Sequence, residues 1–135
     1  MTSKNRPLRI LVVDDDALAI ELFWRDLPAD QFSVLTAANG AEALELLRAE
    51  PFDLLVTDVV MPGMNGLQLI AAIRATSQIC HLPILVATGY SADRTRIACL
   101  QAGADDCMTK PFPRSAILPL LELLVLRRQQ QRAAR

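Results

Sequence analysis

An apolar run that ends in three aspartates, RILVVDDD at residues 9–16, sets the architecture of this chain. The segment Arg9–Val13 is rich in β-branched residues and lacks the polar alternation of a half-exposed strand. Such a run predicts a strand that is buried on both faces, which is typical of parallel sheets. The three aspartates would then lie at the carboxyl end of that strand.

Short apolar runs and longer amphipathic segments alternate along the rest of the chain. The predicted strands are Arg9–Val13, Phe32–Ala37, Asp53–Thr57, Pro83–Ala87 and Asp106–Thr109. The predicted helices are Asp16–Leu27, Ala41–Arg48, Leu67–Thr76, Ala92–Ala102 and Pro113 to about Gln130. Strands that are separated by helices pair in parallel with right-handed crossovers. The expected fold is therefore α/β, a single doubly wound (βα)5 domain, since a closed eight-unit barrel needs about 250 residues.

Length and composition exclude several classes of protein. The chain has 135 residues, of which 52% are hydrophobic and 21% charged, as expected for one globular domain. Lys and Arg number 14 against 15 Asp and Glu, for a net charge of -1, which argues against direct binding to nucleic acid or anionic membranes. Every apolar run is shorter than the roughly 20 residues that span a bilayer. We therefore expect a cytoplasmic protein without membrane contact.

The spacing of the cysteines and the single histidine indicates neither a disulfide framework nor a metal site. Cys80, Cys99 and Cys107 are odd in number and form no CxxC pair, which predicts reduced thiols in a reducing compartment. The single His81 excludes any site that needs two histidines from one chain.

Polar residues collect where the predicted strands end. These residues are Asp14, Asp15 and Asp16 after the first strand, Asp58 after the third, Thr88 and Gly89 after the fourth, and Lys110 after the fifth. Ligands of open α/β sheets bind at the carboxyl ends of the strands. We therefore expect these side chains to share one site at that edge of the sheet.

Few kinds of reaction suit such a cluster of carboxylates. Carboxylates that lie close together repel one another unless a cation relieves the repulsion. Mg²⁺ is commonly held by one or two carboxylates together with a substrate phosphate, and Lys110 supplies a second positive charge. The carboxylate of an aspartate beside Mg²⁺ and a lysine could then attack phosphorus to give an acyl phosphate, while Mg²⁺, Lys110 and the Thr88 hydroxyl neutralise the phosphoryl oxygens.

Four segments resemble the response-regulator receiver domain, the CheY-like phosphoacceptor module of two-component signalling. They are ILVVDDD at Ile10–Asp16, DLLVTDVVMPGMNG at Asp53–Gly66, PILVATGYS at Pro83–Ser91 and GADDCMTKPF at Gly103–Phe112. The segments span nearly the whole chain in the family's order. The resemblance implies a flavodoxin-like five-stranded sheet in the order 2-1-3-4-5.

The resemblance also implies an acceptor and a metal site. Asp58 would be the phosphorylated residue. Asp15 would bind Mg²⁺ directly and Asp14 through water, and the backbone carbonyl of Val60 would complete the protein ligands together with Asp58.

Further roles follow from the same resemblance. Thr88 would bind a phosphoryl oxygen and move on activation, and Lys110 would bind another. The Lys110–Pro111 peptide bond would be cis. The donor would be a phosphohistidine on a sensor histidine kinase or a histidine phosphotransfer protein. The chain would catalyse only its own phosphorylation and slow dephosphorylation, and so would not be an enzyme in the ordinary sense.

One position departs from the family's pattern, and two variable positions bear on the lifetime of the phosphoryl group. Members often carry an aromatic switch residue three positions before the lysine, where this chain has Cys107. We hypothesise that Tyr90 partly replaces that aromatic, the alternative being that Tyr90 only shields the site. Val60 and Tyr90 shape the approach of water to the phosphoryl group, and neither has an amide or carboxylate to orient it, which predicts slow self-dephosphorylation.

The final helix contains more apolar residues than one buried face needs. Its segment Ile117–Leu126 reads ILPLLELLVL, with only Glu122 charged. Either this helix lies deeply over the sheet, bent near Pro119, or an exposed apolar strip serves homodimerisation or partner docking. We divide the chain into a receiver domain, residues 1–126, and a basic tail, residues 127–135, that we expect to fray.

The leading functional prediction is a single-domain response regulator that switches a downstream protein target when Asp58 is phosphorylated. One alternative is a receiver domain from a longer regulator or hybrid kinase, and another is an interaction module that works without phosphorylation. A phosphohydrolase is disfavoured because Val60 stands where a second acid would protonate the leaving group. A flavin or nucleotide binder is disfavoured because the first strand leads into aspartates instead of a phosphate-binding loop.

Overall fold

The sheet has five parallel strands in the predicted order. We analysed a computed structural model that describes residues 6–16, 18, 21, 24, 27–61, 63–89, 93–110 and 114–133. The strands are β1 (Leu8–Val13), β2 (Phe32–Ala37), β3 (Leu54–Thr57), β4 (Ile84–Thr88) and β5 (Asp106–Thr109). Their order is β2-β1-β3-β4-β5, and every neighbouring pair is parallel. The expected doubly wound α/β fold is confirmed.

Helices connect the strands and cover both faces of the sheet. Among the described residues they are α1 (Gly40–Ala49), α2 (Gly66–Arg74), α3 (Asp93–Ala102) and α4 (Arg114–Ala133). Asn39 caps α1 and Asn65 caps α2 by accepting hydrogen bonds from backbone N–H groups of the first turn. Within the helix predicted over Asp16–Leu27, the described residues Leu18, Glu21 and Trp24 are helical.

Alternate residues of β1 enter two separate cores, as expected for a strand that is buried on both faces. Ile10 and Val12 pack in a core that contains Trp24 and side chains of α4. Leu11 and Val13 pack in the opposite core, which α1, α2 and Cys99 of α3 complete. Helical cover on both sides leaves only the ends of the sheet open to ligands.

Several element boundaries differ from the prediction by one or two residues, and side-chain contacts explain two of these differences. Strand β3 begins at Leu54 instead of Asp53, whose carboxylate accepts a hydrogen bond from the backbone N–H of Arg9 at 2.8 Å. Helix α2 ends at Arg74 instead of Thr76. The Arg74 guanidinium binds the carbonyl of Leu82 at 2.6 Å and the Asp105 carboxylate at 3.1 Å, which ties the end of this helix to the start of β4.

Helix α4 lies over the sheet and also leaves an apolar strip exposed. Leu121, Leu124 and Val125 are buried, while Leu123 and Leu126 are both 49% exposed. The helix continues to Ala133, beyond the predicted end near Gln130. The arginines and glutamines of this segment are good helix formers, and its fraying stays a prediction. Among the residues described, no helix has both the length and the apolar character that crossing a bilayer requires.

Candidate functional site

Backbone hydrogen bonds bring the carboxyl ends of the strands to a common edge. The N–H of Asp58 donates to the carbonyl of Val13 at 3.0 Å, which sets the end of β3 beside the end of β1. The N–H of Lys110 donates to the carbonyl of Thr88 at 2.7 Å, which does the same for β5 and β4. The predicted site residues therefore follow four adjacent strands in register.

A single ammonium group joins two of the predicted carboxylates. Lys110 Nζ lies 2.9 Å from Oδ2 of Asp14 and 3.2 Å from Oδ2 of Asp58. The side chains of Asp14 and Asp58 are only 12% and 15% exposed, and that of Lys110 is 34% exposed. Because water is largely excluded from both carboxylates, their attraction to the ammonium is stronger than in a surface ion pair.

The pKa of Lys110 is raised above its ordinary value of 10.5. Burial alone would lower this pKa, but the hydrogen bonds and negative charges of Asp14 and Asp58 outweigh the effect of burial. Lys110 is therefore a fixed positive charge at neutral pH, suited to binding an anionic group.

The side chain of Asp58 is held in one orientation. Its Oδ1 accepts a hydrogen bond from the N–H of Val59 at 2.6 Å, while Oδ2 faces Lys110. Asp14 is held similarly, since its Oδ1 accepts from the N–H of Asp16 at 3.0 Å. Both carboxylates are thus preorganised, with one oxygen of each on Lys110.

The backbone after Asp58 forms a tight loop that requires glycine at position 66. A β-carbon there would lie 2.2 Å from the carbonyl oxygen of Asp58 and 2.9 Å from Cα of Val59. The N–H of Gly66 donates to the carbonyl of Val59 at 2.8 Å, and the hydroxyl of Thr57 donates to that of Asp58 at 2.9 Å. The positioning roles of Thr57 and Gly66 were not predicted from the sequence. The second glycine of the segment PGMNG, at residues 62–66, could have indicated the tight loop.

The remaining predicted residues are distributed around this centre. Asp15 and Val60 are exposed, and Thr88 is fully buried at the end of β4. Cys107 is buried in the core that Cys99 of α3 also enters. Tyr90 and Pro111 lie outside the described residues. The hypothesis that Tyr90 replaces the aromatic switch and the predicted cis Lys110–Pro111 bond therefore stay predictions.

The donor set fits a hard divalent cation. In the part of the chain that the structure describes, no group of three or more His, Cys, Asp or Glu side chains forms a ready-made metal site. Mg²⁺ does not need such a cage, because one or two carboxylates, waters and a phosphate commonly suffice. Asp14 and Asp58 supply two oriented carboxylates, and both lie within hydrogen-bonding distance of one ammonium group.

An open parallel sheet in this order, with an acidic pair and a lysine at its carboxyl edge, defines a flavodoxin-like α/β protein. The family model for the response regulator receiver domain matches residues 10–122. The chain belongs to the response regulator receiver domain family, which confirms the predicted resemblance. It is a domain of two-component signalling.

Individual relatives agree with this assignment. The chain is 41% identical over 121 residues to the response regulator MprA of Mycolicibacterium vanbaalenii, covering 90% of this chain and 52% of the relative. The chain thus spans about half the length of the curated relatives it matches.

Two solved structures are also similar. One is a CheY-like response regulator receiver domain protein from Methanospirillum hungatei, with a TM-score of 0.83, 26% identity and coverage of 93% of this chain and 98% of that one. The other is the receiver domain of a histidine kinase from Syntrophus aciditrophicus, with a TM-score of 0.78, 28% identity and coverage of 87% and 89%. Receiver domains that resemble this chain therefore occur in more than one kind of signalling protein.

Proposed function

We propose that this domain accepts a phosphoryl group on Asp58 from a phosphohistidine of a sensor histidine kinase or a histidine phosphotransfer protein. The observation that carries the proposal is the single Lys110 ammonium that binds both the Asp14 and the Asp58 carboxylates. An oriented carboxylate beside a fixed positive charge is suited to nucleophilic attack on an anionic phosphoryl group.

In this mechanism an Asp58 carboxylate oxygen forms a bond to phosphorus as the bond from phosphorus to the donor histidine nitrogen breaks. The donor imidazole leaves as the neutral ring because its other nitrogen carries a proton, and the product is an aspartyl phosphate. Lys110 neutralises charge on the phosphoryl oxygens during the transfer. The N–H of Val59 keeps the second carboxylate oxygen in place, so little reorientation is needed.

Mg²⁺ would supply further positive charge at the phosphoryl oxygens when it is bound. Asp15, Asp58 and the Val60 carbonyl would hold it, with Asp14 acting through water. Because Lys110 binds both Asp14 and Asp58, the lysine and the metal compete for the same carboxylates. Lys110 would then turn toward the phosphoryl group as the metal enters.

Phosphorylation would act on protein partners through β4. Thr88 is buried at the end of this strand, and its hydroxyl would bind a phosphoryl oxygen. That bond would draw the end of β4 toward the site and change the surface near α3. We propose a downstream protein target and no direct contact with nucleic acid or membrane. Homodimerisation through α4 remains a prediction, and the exposed Leu123 and Leu126 support it.

We consider two molecular settings for the domain. The domain acts alone as a single-domain regulator in the cytoplasm, or as the receiver part of a longer regulator or kinase. The length of the MprA relatives and the kinase receiver from Syntrophus support the second version. The proposed chemistry at Asp58 is the same in both.

Incubation with acetyl phosphate and Mg²⁺, followed by intact mass measurement, tests the proposal. We expect the parent protein to gain one phosphoryl group, and EDTA and Asp58→Ala each to abolish the gain. Asp30→Ala, which removes an exposed carboxylate elsewhere, should leave the gain unchanged. A folded parent protein that gains no phosphoryl group from acetyl phosphate or from any histidine phosphodonor would refute the proposal and favour a module that only binds partners.

A further inference from the structure

The sheet ends on one side at β2, which pairs with a single neighbouring strand. Among the described residues that neighbour is β1, with Leu8 opposite Phe32 and Val13 opposite Ala37. A strand at the edge of a sheet presents backbone N–H and C=O groups that can pair with another chain. The outer side of β2 is therefore a position at which a further strand could be added.

Two residues of β2 direct their backbone groups away from the sheet. The N–H of Asp14 donates to the carbonyl of Ala37 at 3.1 Å. In a parallel ladder of this register, the odd-numbered residues of β2 therefore turn their N–H and C=O groups toward β1. The backbone groups of Val34 and Thr36 point outward, and no other group in the described part of the chain bonds to them.

The opposite edge of the sheet, at β5, is closed by side chains. The N–H of Cys107 donates to Oδ1 of Asp106 at 2.8 Å, and its carbonyl accepts from Arg96 Nη1 at 2.8 Å. Proteins commonly protect sheet edges from pairing with charged side chains or proline. The sequence of β2, FSVLTA, contains neither. Of the two edges, β2 is thus the one that remains open to another strand.

A groove lies beside this open edge, between β2 and α1. It has a volume of about 600 Å³ and is lined by Leu35, Thr36, Glu42, Glu45, Leu46 and Ala49. Leu35 and Leu46 are half-buried, whereas Glu42 and Glu45 are exposed. None of these lining residues is basic, so the groove combines an apolar floor with negative charge. A ligand that matches it carries apolar and positively charged groups.

We propose that the outer edge of β2 and this groove bind an extended basic peptide segment of a partner protein, which adds a strand to the sheet. The backbone of the peptide would bond to the outward groups of Val34 and Thr36. Because side chains alternate along a strand, every second peptide residue would face the groove. An apolar residue there would contact Leu35 and Leu46, and a lysine or arginine two positions away would meet Glu45.

Two other occupants suit this edge less well. In an antiparallel twofold pairing of β2 with a second copy, both α1 helices would lie on the same face of the joined sheet. Their glutamates would then repel one another across the junction. The basic tail of the chain does not supply an extended strand, because α4 is helical through Ala133. Charge complementarity therefore favours a basic segment of another protein.

Binding of a labelled peptide to the full chain tests the proposal. The probe is the fluorescent peptide TKTVTKT, which places two lysines and a valine on one face of a strand. We expect fluorescence anisotropy to give a dissociation constant below about 1 mM. The matched peptide TETVTET reverses the charge and should bind at least about tenfold more weakly. Amide hydrogen exchange at Val34 and Thr36 should slow when the lysine peptide binds.

Two pairs of variants separate the backbone contribution from the charge contribution. Thr36→Pro removes an outward N–H, which an edge strand tolerates, and should weaken binding at least about fivefold. Thr36→Val keeps the N–H and should bind within about twofold of the parent. Glu45→Lys should weaken binding at least about threefold. Glu122→Lys makes the same change on α4, which packs on the other face of the sheet, and should have no effect.

Several outcomes would overturn the proposal. They are a folded parent protein that does not bind the lysine peptide, equal binding by Glu45→Lys, and unchanged exchange at Val34 and Thr36 in the complex. A dimer of the peptide-free protein that Thr36→Pro abolishes would assign the edge to a second copy, which also overturns it. If Thr36→Pro fails to fold, Glu45→Lys and the exchange measurement on the parent still decide. None of these results depends on whether Asp58 accepts a phosphoryl group.

Discussion

At the level of single residues, Lys110 supplies the positive charge that the Asp14 and Asp58 carboxylates share. One ammonium offsets two poorly solvated carboxylates, so in the absence of metal it is the cation that makes the acidic pair tolerable. The same contacts would make it a competitor of Mg²⁺ for Asp14 and Asp58 in the proposed mechanism. We therefore expect this residue to affect metal affinity and phosphoryl transfer in opposite directions.

Lys110→Ala should therefore separate these two properties. We expect tighter Mg²⁺ binding in calorimetry, because the competing ammonium is gone. We also expect phosphorylation by acetyl phosphate to slow by roughly 10²-fold, because the transferring group loses a charged donor. Arg48→Ala, which removes an exposed positive charge on α1, should change neither. Weaker Mg²⁺ binding in Lys110→Ala would contradict the proposed competition.

We predict that Val60 influences a second property of the site, the lifetime of the phosphoryl group. Its side chain is 54% exposed beside Asp58 and has no group that could orient a water molecule. We expect the aspartyl phosphate to survive for minutes or longer once the donor is removed, as followed by intact mass. Val60→Asn should shorten that lifetime. A parent half-life of seconds would count against this account of Val60.

At the scale of elements, the loop between β3 and α2 determines where the Asp58 backbone lies. Gly66→Ala should reduce the free energy of unfolding by about 2 kcal/mol, because the new methyl group would overlap the Asp58 carbonyl. Gly89→Ala is the matched control, since a β-carbon there meets no atom within 4 Å. Its stability in urea unfolding should stay within about 0.5 kcal/mol of the parent. Equal stability of the two variants would argue against the tight loop.

The elements themselves could largely be predicted from the sequence, because their signals are local. Continuous apolar runs indicated strands that are buried on both faces, and Asn39 and Asn65 stand at the helix starts that they cap. The boundary at Leu54 could not be predicted, because it depends on the contact between Asp53 and the backbone of Arg9, 44 residues away. The extent of α4 was underestimated because helix propensity, and not hydrophobicity, carries it past Gln130.

The site was predicted as a set of residues but not as a set of contacts. Strand ends in a parallel sheet converge, so Asp14, Asp58 and Lys110 could be grouped from their positions alone. That one ammonium binds both carboxylates depends on side-chain conformations that no sequence spacing specifies.

At the scale of the whole molecule, the raised pKa values make stability depend on alkaline pH. Cys99 is shifted from 9.0 to about 11, and Lys110 is shifted upward from 10.5. Above pH 9 the unfolded chain releases protons that the folded chain retains, so the free energy of unfolding falls as the pH rises. The stabilising contribution of Cys99 is fully present below pH 9, and that of Lys110 is fully present below pH 10.5.

Urea unfolding between pH 8 and pH 11 in the presence of a reductant measures this effect. Cys99 alone should account for a loss on the order of 2 kcal/mol by the upper end of that range. Cys99→Ala should be less stable than the parent at pH 8 but should lose stability less steeply above pH 9. Parallel pH profiles for the two proteins would show that Cys99 does not retain its proton in the folded state.

The most direct test of the central claim is to identify the phosphorylated residue chemically. Borohydride reduction of the phosphorylated protein converts an aspartyl phosphate into homoserine, which peptide sequencing by mass spectrometry locates. We expect homoserine at position 58 alone, formed only when Mg²⁺ was present during phosphorylation. Homoserine at Asp14 or Asp15 instead, or a phosphoryl group on His81, would contradict the assignment of Asp58 as the acceptor beside Lys110.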